Sequence, residues 1–172
     1  MKDKSKRELE NILSDLQSIL ITYRAYNNVI DQWKNKTIPN TQKNHLLTCA
    51  VMESLERDMI VALCRLDDDK NLSFRTVMRN SSDYDLSNDD VKKISKAIAS
   101  YRKAINPIKT QNRNKYIAHL SKAFDGSLPP VVDLKPLLRH AIDTMSCVLN
   151  SKINWEIELS DTGDKIILDE GI

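Results

Sequence analysis

The chain has 172 residues, of which 41% are hydrophobic and 29% are charged, and its formal net charge is +2. This balance is typical of one folded domain and excludes an intrinsically disordered chain. Only 3 Gly and 5 Pro occur, which excludes glycine-rich nucleotide-binding loops and favours long helices. No apolar run approaches the roughly 20 residues that span a bilayer, so we expect a soluble, cytoplasmic protein with no membrane partner.

The first half of the chain predicts two long helices. Apolar residues recur every three or four positions over residues 5–35 and again over residues 41–66. Pro39 ends the first helix because proline disfavours helix in the residue before it. Residues 71–84 are polar, with one short helix predicted over residues 74–78. The predicted core-facing stripe of the second helix is Leu47, Ala50, Val51, Leu55, Met59, Ala62, Leu63 and Leu66.

A capping box opens the third long helix. Ser87 and Asp90 have the spacing at which a hydroxyl and a carboxylate satisfy each other's free backbone amides. Apolar residues from Val91 to Ile105 then keep a helical period. Pro107 removes one amide, so the helix either restarts there or runs through with a kink. In both cases residues 108–120 should be helical.

The last third predicts a loop, a helix and a small hairpin. Residues 121–130 contain a glycine and two prolines and predict a loop, and residues 133–153 have the pattern of a helix. Alternation from Trp155 to Leu168, around a turn at residues 161–164, predicts a β-hairpin. The predicted fold is mainly α, an antiparallel bundle of about four long helices over residues 1–155. Residues 156–172 form a hairpin or tail, which must pack on the bundle because an isolated hairpin is marginal.

The sequence contains neither a Cys-x-x-Cys nor a His-Glu-x-x-His motif, so we predict no metal site and no cofactor. Asp67, Asp68 and Asp69 could bind a divalent ion, but a solvated helix end is the preferred interpretation. His45 and His140 are predicted at the surface or half-buried. Three widely spaced cysteines lie in apolar helical patterns and are predicted to be reduced core residues of a cytosolic protein: Cys49, Cys64 and Cys147.

One segment is strongly basic although the whole chain is almost neutral. Residues 91–124 contain nine lysines and arginines and no Asp or Glu. Such a surface can attract phosphate. The alternative is a solvated helix face paired with acidic neighbours.

Within this segment, Arg113 and His119 lie on the predicted helix. Histidine can take the proton from an RNA 2′-hydroxyl or give one to the leaving oxygen, because its pKa lies near neutrality. Arginine offers a charged planar fork to the phosphate, where charge builds in the transition state. Together they are sufficient to cleave RNA without a metal.

The helical geometry of this pair constrains how it could act. Six residues advance about 9 Å along an ideal helix and leave the two side chains roughly 120° apart. Either the long arginine side chain bridges that gap, or a second copy of the segment completes the site. Lys115 and Tyr116 lie closer to the face of His119. We predict that Lys109, Lys115, Tyr116 and Lys122 contact RNA, mostly through phosphate because aromatic content is only 5%.

The segment Arg113-Asn-Lys-Tyr-Ile-Ala-His119 resembles the Arg-x(4–6)-His signature of HEPN domains, in the form Arg-(Asn/Asp)-Lys-x-x-Ala-His. The stretch from Met52 to Asp68 is similar to the second-helix region of the U-type abortive-infection (AbiU-like) branch of that superfamily. The resemblance covers most of residues 5–153 and leaves out the hairpin.

This resemblance implies a four-helix bundle that dimerises with its two signatures facing each other. It also implies a metal-independent endoribonuclease used in phage defence (abortive infection) or in a toxin–antitoxin pair. Arg113 would then bind phosphate, Asn114 would be the polar residue that follows it, and His119 would be the acid–base group. Some HEPN toxins carry a modified tyrosine two residues after the histidine, but here that residue is Ser121, which argues against such control. The implied partners are RNA, a second copy and an antitoxin.

Two other functions fit the same residues. A catalytically silent HEPN domain would bind RNA or a nucleotide through the basic segment without cutting it. A structural or partner-binding bundle would instead pair Arg113 with an acidic group such as Asp67, while His119 favours a helix C-terminus through the helix dipole.

Overall fold

The computed structural model describes residues 3–39, 41–69, 72–84, 86–118, 133–158, 165–170 and 172, with residues 3, 81 and 111–118 described by backbone conformation alone. Within these ranges the fold is mainly helical, as predicted. The elements are α1 (Asp3–Lys34), α2 (Gln42–Arg65), α3 (Phe74–Arg79), a 3₁₀ turn (Ser81–Tyr84), α4 (Asn88–Ala118), α5 (Lys135–Leu149), β1 (Glu156–Glu158) and β2 (Lys165–Ile167).

One apolar core holds the helices together. α1 packs on α2, α2 packs on α4, and α4 packs on α5, while α3 contacts α1, α4 and α5. Side chains from all five helices and from the C-terminal segment enter this core; its largest fully buried members include Tyr101, Phe74, Ile12, Leu16, Leu20 and Met59. None of the described helices is both long enough and apolar enough to cross a membrane.

α1 and α5 end in the same backbone motif. Lys36 and Asn150 have positive φ angles of 55° and 48°. After α1, the Thr37 and Lys36 amides donate back to the carbonyls of Gln32 and Trp33. These two hydrogen bonds satisfy carbonyls that have no partner within the helix. The same motif at Asn150 ends α5 earlier than the predicted residue 153, since asparagine tolerates the left-handed conformation.

The predicted core stripe of α2 was partly wrong. Leu47 and Val51 are 61% and 37% exposed, and Ala50 is exposed as well. The first half of α2 is apolar on more than one face, so periodicity alone did not identify the side that faces α1 and α4. The residues of α2 that are buried are Thr48, Cys49, Met52, Glu56, Met59, Ile60 and Leu63.

A polar pair is buried where α1 meets α2. The Tyr26 hydroxyl donates to Glu56 Oε2 over 3.4 Å, and both residues are at most 2% exposed. Burial, with the Glu56 carboxylate beside it, raises the pKa of Tyr26 to about 12. Tyr26 therefore stays a hydrogen-bond donor throughout the neutral pH range.

α4 is one continuous helix across Pro107, which settles the two alternatives left by the sequence. Thr110 Oγ1 lies within hydrogen-bond distance of the carbonyls of Asn106 and Pro107. At its start the predicted capping box is present: the Asp90 amide donates to Ser87 Oγ over 3.1 Å, and the Ser87 amide donates to Asp90 Oδ2 over 3.3 Å.

The two C-terminal strands pair antiparallel, with Ile157 opposite Ile166; the predicted turn at residues 161–164 lies outside the described residues. Trp155 and Leu168 are buried in the bundle core. Arg24 of α1 donates to the Ile167 carbonyl and, over 2.8 Å, to Glu170 Oε2. The strands therefore pack on the helices, which a two-stranded sheet needs for stability.

Ser87→Ala should lower the free energy of unfolding by about 1 kcal/mol near neutral pH, because it removes the side-chain partner of both the Asp90 amide and its carboxylate. The Ser87 hydroxyl holds the pKa of Asp90 below its usual range. A lowered pKa in the folded state gives stability that is lost as pH falls through that pKa. The effect of the substitution should therefore shrink once pH falls below the ordinary aspartate pKa of about 3.9.

Urea unfolding at neutral and at acid pH measures both effects. Ser100→Ala is the matched control, since Ser100 is an exposed serine within the same helix. Equal effects of the two substitutions at neutral pH would show that the box does not stabilise α4.

Candidate functional site

The predicted signature begins near the C-terminal end of α4, as far as the structure describes this helix. Arg113, Asn114, Lys115 and Tyr116 belong to the last turns of this helix, which continues to Ala118; their side chains lie outside the described part of the structure. His119 and Lys122 lie outside the described residues altogether. The structure thus places four of the seven predicted residues on one helical segment, and Lys109 one turn before it.

Lys109 connects α4 to the end of α2. Its Nζ donates to Asp67 Oδ2 over 2.5 Å and to the Asp67 main-chain oxygen over 3.0 Å. The side chains of Lys109 and Asp67 are 23% and 2% exposed. A carboxylate buried to this degree needs a cation beside it, so this ion pair fixes where α4 lies against α2.

The Asp67 carboxylate retains one free oxygen. Oδ1 is buried and has no hydrogen-bond partner among the residues that the structure describes. Arg113 follows Lys109 by four residues, so the backbone places it one turn further along the same face of α4. The ion pair therefore anchors the helical turn immediately before the signature, and it occupies one of the lysines predicted to bind RNA.

The predicted solvated helix end was wrong for Asp67 but not for Asp69, which is exposed. Asp67 is 3% exposed and bonded to Lys109. Asp69 pairs with the Arg75 guanidinium and accepts at its carbonyl from Arg79. Over the described ranges, no three His, Cys, Asp or Glu side chains come together as metal ligands. Asp67 and Asp69 serve as ion-pair partners for Lys109 of α4 and Arg75 of α3.

α3 packs next to the Asp67–Lys109 ion pair. Ser73 Oγ donates to the Asp68 carbonyl over 2.6 Å, and the Phe74 amide donates to the Leu66 carbonyl. The Phe74 ring meets the Tyr101 ring edge-on with centroids 5.3 Å apart. The buried Tyr101 hydroxyl donates to the Leu63 carbonyl over 2.7 Å, and burial raises its pKa well above the usual range. These contacts join α2, α3 and α4 around the ion pair.

Sequence analysis did not identify these partners. The Asp67–Lys109 contact joins residues 42 positions apart, and no local pattern indicates such a pairing. Arg75 was predicted only as part of a short helix over residues 74–78, and Arg79 lies just after that helix in the same polar stretch. The sequence contains one partial indication of such pairing. Residues 91–124 are basic without any Asp or Glu, and basic side chains on a helix that packs in the core are buried only when acidic residues of other segments pair with them.

Cysteine and histidine predictions had mixed outcomes. Cys49 is buried and Cys64 half-buried, but Cys147 is exposed on α5, so its placement in the core was wrong. His45 is half-buried and His140 is exposed, as predicted. The ring of His45 packs at 5.1 Å from that of Trp33.

Lys109→Met should lower the free energy of unfolding by about 3 kcal/mol, because it leaves the buried Asp67 carboxylate without its cation. Asp67→Asn should cost less, since the amide is neutral and the partly exposed lysine can turn to solvent. The double variant should cost less than the sum of the two, because the pair interacts directly.

Chemical unfolding of the three variants measures this coupling. Lys103→Met is the matched control, as Lys103 is an exposed lysine of the same helix. If Lys109→Met unfolds at the same urea concentration as Lys103→Met, the ion pair contributes nothing to stability.

A family comparison matches the sequence resemblance. The family model described as AbiU2, a HEPN family, matches residues 2–127. This range includes α1 to α4, Arg113 and His119, whereas α5 and the two strands lie outside it. No curated protein and no solved structure matched the chain. Because the family model covers well over half of the 172 residues, the chain belongs to the AbiU2 family of HEPN domains.

Proposed function

We propose that this HEPN domain is a metal-independent endoribonuclease in which Arg113, Asn114 and His119 form the active site. The observation that carries the proposal is the Arg113-Asn-Lys-Tyr-Ile-Ala-His119 segment, which lies inside the family match. Its first six residues extend α4, directly after the turn that Lys109 anchors to Asp67.

The chemistry assigns a separate role to each residue. The RNA 2′-oxygen attacks the adjacent phosphorus, the bond to the 5′-oxygen breaks, and the products are a cyclic phosphate and a 5′-hydroxyl. This reaction needs a base for the 2′-proton and an acid for the leaving oxygen. His119 performs one of these transfers, and Arg113 stabilises the charge that develops on the phosphate. Asn114 donates a hydrogen bond that orients the substrate.

The need for both an acid and a base supports a homodimer. Each chain has one histidine in the signature, and the other two, His45 and His140, belong to α2 and α5. Two copies that face each other through the ends of α4 would supply two copies of His119, one as base and one as acid. In such a dimer, His119 of one copy could act beside Arg113 of the other, so the roughly 120° between these two side chains on a single helix would not prevent them from sharing a site.

The biological setting that fits this activity is phage defence or a toxin–antitoxin pair in the cytoplasm. In a toxin–antitoxin pair, an antitoxin would control this activity by covering the site. Lys115, Tyr116 and Lys122 remain proposed RNA contacts around it.

His119→Ala should abolish RNA cleavage in EDTA, with a loss of at least about a hundredfold, because general acid–base catalysis contributes that much or more. His140→Ala should cleave at the wild-type rate, since it removes an exposed histidine of α5. The assay uses total and structured RNA with identically purified proteins, and its readout is the rate of product formation.

Equal cleavage by wild type and His119→Ala would contradict the proposal and indicate another site or a contaminant. No cleavage by any of the three proteins, with RNA binding retained, would favour the catalytically silent HEPN domain. If the wild type neither cleaves nor binds RNA, and Arg113→Ala mainly lowers thermal stability, the structural bundle would be favoured.

A further inference from the structure

A groove between α3 and α4 differs in charge from four other grooves in the part of the chain that the structure describes. It has a volume of about 330 Å³ and is lined by three arginines, Arg75 and Arg79 from α3 and Arg102 from α4, with no carboxylate in its wall. Four other grooves within the described ranges each contain at least one aspartate or glutamate. This arginine groove is therefore a place where an anion meets positive charge without a competing carboxylate in the wall.

Two of the three arginines are held in place from one side. Asp69 pairs with Arg75 through its carboxylate and accepts from Arg79 through its carbonyl. Each guanidinium has five N–H donors, so these bonds leave several donors available. Because the side chains are already ordered, less conformational entropy is lost when a ligand binds.

Arg102 faces them from α4. It is exposed and, over the ranges that the structure describes, has no hydrogen-bond or ion-pair partner. The wall between the three arginines consists of small or apolar groups such as Ser95, Ala99 and Met78. Three arginines and one aspartate leave a local charge of +2, which matches a phosphate group better than an apolar ligand.

The groove also points toward the signature. Arg102 and Arg113 are 11 residues apart on the continuous helix α4. On an ideal helix this separation is about 16 Å along the axis and about 20° around it, so both positions share one face. Lys109 lies between them on that face. A strand that follows this face from the groove would reach the last turns of α4.

We propose that the arginine groove binds backbone phosphates of the RNA strand that is cleaved at the signature. This inference rests on the proposed function for the identity of the ligand. Guanidinium groups bind phosphate through paired hydrogen bonds, and a span of about 16 Å requires a polymer. The groove thus holds the strand at a distance from the scissile phosphate, and its contacts are independent of base sequence.

The test measures RNA binding in a chain that cannot cleave. Fluorescence anisotropy with a short single-stranded RNA compares His119→Ala with the same variant carrying Arg102→Gln or Arg139→Gln. Arg139 is the matched control because it is an exposed arginine in a groove that also contains Asp90, Asp143 and Asp169. Arg102→Gln should weaken binding on the order of tenfold. It should also make the slope of log affinity against log salt shallower by about 0.7, the loss of one phosphate contact.

Arg75→Gln and Arg79→Gln should weaken binding in the same direction, and thermal melting checks that each variant is folded. Inorganic phosphate or a mononucleotide at matched ionic strength should not displace the RNA. Displacement by either would show that the groove takes a free anion, which overturns the proposal. Identical affinity and salt slope for Arg102→Gln and Arg139→Gln would overturn it as well.

This result is separable from the fate of the proposed nuclease. If wild type cleaves RNA but Arg102→Gln leaves binding unchanged, the groove proposal fails and the nuclease stands. If wild type does not cleave but binding depends on Arg102, the nuclease fails and the groove stands as an RNA-binding site.

Discussion

A carboxylate that is almost completely buried must have a cation beside it, and the rest of this site depends on how that requirement is met. Asp67 lies two residues after the end of α2, and its cation is Lys109 of α4. Removing two charges from water costs several kcal/mol, which only close geometry can offset. The pair has that geometry, with a second bond from Lys109 to the main chain of Asp67. As a result, the ion pair fixes the position of α4 relative to α2, and with it the position of the helical turns that follow Lys109.

The short helix α3 extends this constraint. It follows the aspartates and is held by hydrogen bonds to the end of α2 and by the ring contact with Tyr101 of α4. Asp69 pairs with Arg75 and accepts a hydrogen bond from Arg79, and both arginines line a groove with residues of α4. Two neighbouring aspartates thus have different tasks. Asp67 positions the helix that carries the signature, and Asp69 arranges the arginines of the groove beside it.

The electrostatics of the chain are local. Its net charge of +2 gives no reason to expect affinity for a polyanion, yet residues 91–124 contain nine lysines and arginines and no Asp or Glu. Some of these cations pair with buried carboxylates, as Lys109 does with Asp67, and others, such as Arg102, are exposed. This division separates residues that hold α4 in place from residues that face solvent.

Some properties of this protein depend only on local sequence. Helical periodicity, the capping box of Ser87 and Asp90, and turn residues such as Pro39 act over a few positions, and for this reason the helices and the small sheet were predicted correctly. The signature around Arg113 and His119 is also local, so the family could be named from it. One helix end was misjudged, because Asn150 adopts a left-handed conformation and ends α5 early; the predicted end of the signature helix at residue 120 lies outside the described residues.

Only the tertiary structure decided which apolar face of α2 is buried, because Leu47 and Met52 are equally apolar and the choice depends on where α1 and α4 lie. It also decided that Asp67 is buried against Lys109, that Cys147 faces solvent, and that Arg75 and Arg79 line a groove with Arg102. Each of these depends on contacts between residues that are far apart in sequence. Sequence by itself determined which chemical groups are present and which local elements carry them. Their partners followed from packing, since burial and ion pairing are properties of neighbours that the fold, and not the chain order, brings together.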